Sequence, residues 1–119
     1  MTQTLVALLA ALLATQANAA PPHMIDGLMV DDHGMTLYAF AGHGHPDSTA
    51  CEGDCEQNFP PAIADSNDEP TGRLSIIKTA KGERQWAYQG RSLHHGRMDK
   101  KPGDHQGDGL NGAWYPVRP

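Results

Sequence analysis

The chain of 119 residues sets 14 Asp and Glu against nine Lys and Arg, a net charge of −5 with neutral histidines. That balance excludes the basic surface on which nucleic-acid binding rests. Thirteen glycines, nine prolines and only seven Trp, Tyr and Phe describe short elements joined by many turns, and no long amphipathic helical period runs through them.

The N-terminus reads as a secretory signal peptide over 1–19. Thr4–Ala14 is an apolar run of Leu, Ala and Val, followed by the small-residue cleavage sequence Ala17-Asn18-Ala19. The run is shorter than the roughly 20 apolar residues a membrane span requires, so no transmembrane segment is expected. The n-region, Met1-Thr2-Gln3, departs from the pattern in lacking Lys and Arg, and no cysteine adjoins the cleavage site to take a lipid. The expectation is a periplasmic or secreted domain over 20–119, small enough to bury only a modest fraction of its surface.

In chain order, Ala20–Met24, with Pro21-Pro22, reads as a flexible leader. Gly27–Asp31 and Met35–Phe40 read as strands joined by the Asp32-His33-Gly34 turn. Cys51 and Cys55 follow in a CxxxC loop, and in an oxidising compartment they are expected to pair with each other. So short a loop is worth about 2 kcal/mol in the chain-entropy picture, so the bridge shapes the loop more than it supports the fold. A dithiol redox pair is the rival, but its usual spacing is CxxC, and Glu52, Asp54 and Glu56 disfavour a thiolate. Ala64–Gly72 is a polar connector. Ser75–Thr79, Arg84–Tyr88 and Arg91–His95 then read as three consecutive antiparallel strands. Ala113–Val117 is a last short strand, and Phe59-Pro60-Pro61 plays the same part earlier in the chain.

The chain is also internally repetitive. Gly34–Pro61 returns in degenerate form as Gly90–Pro116, and Val30, Gly34, Leu37 and Pro46 lie 56 positions before Trp86, Gly90, Leu93 and Pro102. The predicted fold class is all-β, mostly antiparallel, with two repeat units, roughly 27–61 and 84–117, in one small domain.

Several of these stretches carry a resemblance. DxxGMTLYxF at 31–40, CxGDC at 51–55 with NFPP at 58–61, RQWAYxGxxL at 84–93, DKKPGD at 99–104 and GDGxxGxW at 107–114 resemble the bacterial secreted-repeat family of predicted lipoproteins with a Yx(FWY)xxD motif. The resemblance implies an exported envelope protein of unknown function, usually with a lipid-attachment cysteine that is missing here. Against the motif, the first copy keeps Tyr38 and Phe40 but puts His43 at the acid position. The second copy keeps the acid, Asp99, but replaces both aromatics, with His94 in the tyrosine's place.

Seven histidines are many for so small a domain. His43 and His45 alternate on an extended segment, so their side chains share a side, and the repeat relation equates His43 with Asp99. A site on the repeat seam would gather His43, His45, either His94 or His95, and Asp99, a set suited to zinc or copper(II). The competing reading makes these solvated loop histidines, with His94 and His95 on opposite strand faces. A second cation candidate is Asp104, Gln106 and Asp108, which resemble the opening half of a calcium loop; its closing carboxylate is replaced by Tyr115, and a glycine-rich turn accounts for the same residues.

Nothing identifies an enzyme. The serines lack a nucleophile-elbow context, and Asp31-Asp32 and Asp68-Glu69 read as solvated charges beside a turn and in the connector. Tyr38, Phe40, Phe59, Trp86, Tyr88 and Trp114 read as core rather than as an exposed platform. The functional expectation is an exported envelope binding module, with divalent-metal capture as its concrete form. The alternatives are an adaptor that docks a protein partner without metal, and a small dithiol redox protein.

Overall fold

The computed structural model describes residues 20–41 and 53–119. The predicted signal peptide, His43, His45 and Cys51 lie outside them. Among the described residues, eight short strands form three antiparallel sheets: β1 (His23–Ile25) with β2 (Leu28–Val30); β3 (Leu37–Phe40) between β7 (His94–His95) and β8 (Trp114–Pro116); and β5 (Arg84–Tyr88) between β4 (Leu74–Lys78) and β6 (Arg91–Ser92). A five-residue helix, α1 (Asp54–Asn58), carries Cys55, and Leu110–Gly112 makes a single 3-10 turn.

β3 organises the domain. Its side chains alternate between two faces, and both faces are covered: Leu37, Tyr38 and Ala39 are all buried. Leu37 and Ala39 join Met29, Ala62, Trp86, Leu93 and Val117 in one apolar core. Tyr38 turns the other way, into an aromatic cluster with Phe59 and Trp114. There Phe59 stacks on Trp114 with centroids 3.9 Å apart, Tyr38 meets Phe59 edge-on at 5.5 Å, and Phe40 leans on Trp114 at 5.2 Å. The aromatics thus pack as core, as their alternation predicts.

The β4–β5–β6 meander appears where the sequence places it, because Gln89 and Gly90, at φ 50° and 78°, make the tight left-handed turn that a two-residue hairpin needs. The third predicted strand does not run through to His95, however. Leu93, fully buried in the core, separates β6 from β7, and β7 leaves the meander to pair with β3. Burying Leu93 is worth about 1.5–3 kcal/mol, enough to favour the crossing over a longer regular ladder.

Other departures are local. The expected leader contains β1, which pairs with β2 across the Asp26-Gly27 turn. The hairpin expected from 27–31 and 35–40 narrows to the Val30↔Thr36 bridge and the Asp31 N–H bond to the Met35 carbonyl. Phe59-Pro60-Pro61 is not a strand. The chain there runs from α1 along both larger sheets: the N–H of His95 donates to the Pro60 carbonyl, that of Ala62 to Leu93 and that of Trp86 to Ala62. This segment stitches the two sheets together and closes the core over Trp86.

Candidate functional site

Two polar constellations stand out, one buried and one open. The buried one joins two stretches that read in the sequence as repeat copies. Tyr38 donates its hydroxyl to Asp99 Oδ2 at 2.7 Å, across 61 positions. The N–H of Gly107 donates to the same hydroxyl at 3.1 Å, and the N–H of Gln106 donates to Asp99 Oδ1 at 2.9 Å. Gly96 and Gly107 are the residues that make room. A Cβ on Gly96 would lie 2.8 Å from the Tyr38 ring and one on Gly107 3.0 Å from it, so both approaches require glycine. Burial, reinforced by the bond to Asp99, pushes the Tyr38 hydroxyl well above the usual phenol range. The two half-motifs left in the sequence are therefore halves of one contact in space.

His94 is the register partner of Tyr38 across β3 and β7, and the two lie 56 positions apart, the spacing that relates the repeats. Its ring is buried edge-on against Trp114 at 4.9 Å. Nδ1 donates to the Phe59 carbonyl at 2.9 Å, which leaves Nε2 as the acceptor, 3.5 Å from the Gln85 amide nitrogen. Burial pushes this imidazole down to about 4, so it is neutral at ordinary pH.

His95, its neighbour, faces the other way into the open constellation. The Asx-type turn after β2 sets this up: Asp31 Oδ1 accepts the N–H groups of His33 and Met35 at 2.8 and 2.9 Å. That bond pair fixes Asp31 so that Oδ2 meets His95 Nε2 at 2.9 Å. Beside it Asp32 Oδ1 lies 3.1 Å from His33 Nδ1. One donor atom each from Asp31, Asp32 and His33 falls within 4.8 Å of the others. These groups line a cleft of about 330 Å³ with Asp65 and Asp68, and Leu37 and Trp86 form its apolar side. Arg84 stands near but is occupied, donating to the backbone carbonyls of Asp65 and Asp68.

Of the metal set expected from the sequence, then, His95 reaches the cleft. His94 and Asp99 are held in interior hydrogen bonds, and His43 and His45 lie outside the described residues. The calcium candidates are spread over turns. Asp104 Oδ2 accepts the N–H groups of Lys100 and Lys101, Gln106 offers its N–H to Asp99, and Asp108 faces Arg118 at 3.7 Å. Cys55 lies in α1, and no cysteine among the described residues is free. Asp31, Asp32 and His33 read in sequence as a solvated turn. Their link to His95 spans 64 positions and leaves no local signal.

Short antiparallel strands, a buried joint between Tyr38 and Asp99 and an open acidic cleft define a small all-β module. Residues 75–118, from β4 through β8, match the family described as a secreted repeat of unknown function. Neither a curated protein nor a solved structure matches the chain. No described helix is long and apolar enough to cross a membrane.

Proposed function

We propose that the protein is an exported binding module that holds a divalent transition metal, zinc or copper(II), in the Asp31–His95 cleft. The observation that carries this reading is the cluster of one donor atom each from Asp31, Asp32 and His33 within 4.8 Å of one another, with the Asp32–His33 contact at 3.1 Å and His95 Nε2 joined to Asp31 Oδ2 at 2.9 Å. Neighbouring donors on a tetrahedral ion with bonds of about 2.0–2.1 Å stand roughly 3.3 Å apart, so each pair is close to a ligand spacing. Mixed imidazole and carboxylate donors suit zinc or copper(II) better than calcium. The reading keeps His95 from the seam set and moves the centre of the site to the turn after β2. Export by the 1–19 signal peptide to the periplasm or beyond, and a Cys51–Cys55 bridge, complete the proposal. The secreted character of the family supports the first and the absence of a free Cys55 thiol the second.

Calorimetric titration of the full mature chain with zinc and with copper(II) tests it. Asp31→Asn keeps an Oδ1 acceptor for the turn while removing the charge, and is expected to weaken binding by about tenfold or more. His95→Gln should do the same. Saturable binding that both variants leave untouched, or no saturable binding at micromolar metal, overturns the proposal.

A further inference from the structure

A second cleft has the opposite chemistry. It lies where β3, β6, β8 and the Gln89-Gly90 turn converge, has a volume of about 380 Å³, and is floored by the small side chains of Ala39 and Ala41. Tyr88 and Tyr115 provide aromatic walls, and Gln89, Arg91 and Arg118 line it with polar groups. Among its described lining residues there is no Asp or Glu side chain. On a chain of net charge −5, whose first cleft carries four aspartates, this segregation selects against cations and for anions.

The individual groups are placed for use. The left-handed Gln89-Gly90 turn sets Gln89 and Arg91 on the rim, and Arg91 is exposed with no ion pair among the described residues. Arg118 reaches Asp108 only at 3.7 Å and is 60% exposed. Tyr115 is 44% exposed, yet its hydroxyl is anchored on the Gly112 carbonyl at 3.2 Å, which fixes the ring. β8 cannot take an added strand here, because Pro116 lacks an N–H and the Trp114 carbonyl already accepts from Gly109. An extended peptide thus has no ladder to join, whereas a compact ring with a carboxylate has a guanidinium fork to meet and flat tyrosine faces to lie on.

We infer that this groove binds an acidic saccharide, a pyranose chain bearing carboxylates, with Arg91 and Arg118 on the carboxylates and Tyr115 against the ring. The site is independent of the metal cleft, so its test is run with a chelator present. The full mature chain is titrated with trigalacturonate, with neutral maltotriose and with triglutamate, by calorimetry and by amide chemical shifts. Saturable binding of trigalacturonate is expected, with shifts centred on Gln89, Arg91 and Tyr115. Affinity should fall about tenfold in Arg91→Gln, the scale of one charge-assisted contact. Tyr115→Ala should weaken binding similarly while its melting curve stays that of the parent. Equal binding of maltotriose overturns the role of charge. Triglutamate binding as tightly as trigalacturonate makes the groove an acidic-peptide site and overturns the saccharide. No saturation by trigalacturonate up to about 10 mM, a bound near 3 kcal/mol, overturns the site altogether.

Discussion

Tyr38→Phe is the sharpest test of how the domain is held together. The substitution keeps the ring and its edge-on contact with Phe59 and removes one oxygen that serves two bonds, to Asp99 at 2.7 Å and from Gly107 at 3.1 Å. Tyr38 is fully buried, so water cannot take the vacated place without opening the core. A hydrogen bond to a charged acceptor contributes about 1.5–3 kcal/mol, and stranding the Gly107 N–H costs about 1–3 more. Allowing for overlap, the loss should be about 2–4 kcal/mol. For a domain of this size, each kcal/mol moves Tm by about 4–8 °C, so the midpoint should fall by roughly 8–32 °C. Urea unfolding at pH 7 gives the free energy directly, with Tyr115→Phe, whose hydroxyl sits on an exposed ring, as a comparator expected within about 0.5 kcal/mol of the parent. The same contact sets an alkaline limit. An unfolded tyrosine ionises near 10, whereas burial and Asp99 hold the folded hydroxyl protonated to higher pH. Stability must therefore fall as pH rises past about 10, and Tyr38→Phe should remove that part of the slope. A Tyr38→Phe loss below about 1 kcal/mol at unchanged m would refute the reasoning.

Two further outcomes follow from the same core. His94 is buried neutral at about 4 against an ordinary 6.5, so the unfolded chain takes up its proton first and stability drains away as pH falls from 6.5 towards 4. His95 opposes the protonation and Glu56 favours it. The contribution lost should reach about 2 kcal/mol by pH 5 and about 3 below pH 4. It is read as the difference between parent and His94→Gln in urea unfolding at pH 8 and pH 5; equal losses in both would sink it. Gly96→Ala and Gly107→Ala each drive a methyl into the Tyr38 ring and should cost about 1–3 kcal/mol, with near-parental Tm as the contrary result.

Where the sequence was legible, the reason is local chemistry. The alternation in Arg84–Tyr88 and the Gln89-Gly90 turn determine a hairpin whatever surrounds them, and β4, β5 and the start of β6 lie where predicted. β1 was hidden because Pro21-Pro22 precede a strand of three residues, held by its pairing with β2 and by Met24 against the core. The five residues of α1 lie below the length at which a helical period can be read. The break at Leu93 is a tertiary decision: one leucine finds the core, and the strand divides around it. The polar sites were the least legible. His94 and His95 are adjacent in sequence, yet one is sealed against Trp114 and the other opens onto Asp31. Nothing in a His-His pair says which is which, because the answer depends on Phe59 and Asp31, 35 and 64 positions away.

The joint between Tyr38 and Asp99 also decides what can be cut from the chain. Phenol and carboxylate come from segments 61 positions apart and meet in the interior. A fragment that keeps one of them alone carries a polar group into an apolar core with nothing to receive it. Each segment is thus the other's condition for folding, and a split placed in the connector at 64–72 should give two pieces that order only when mixed.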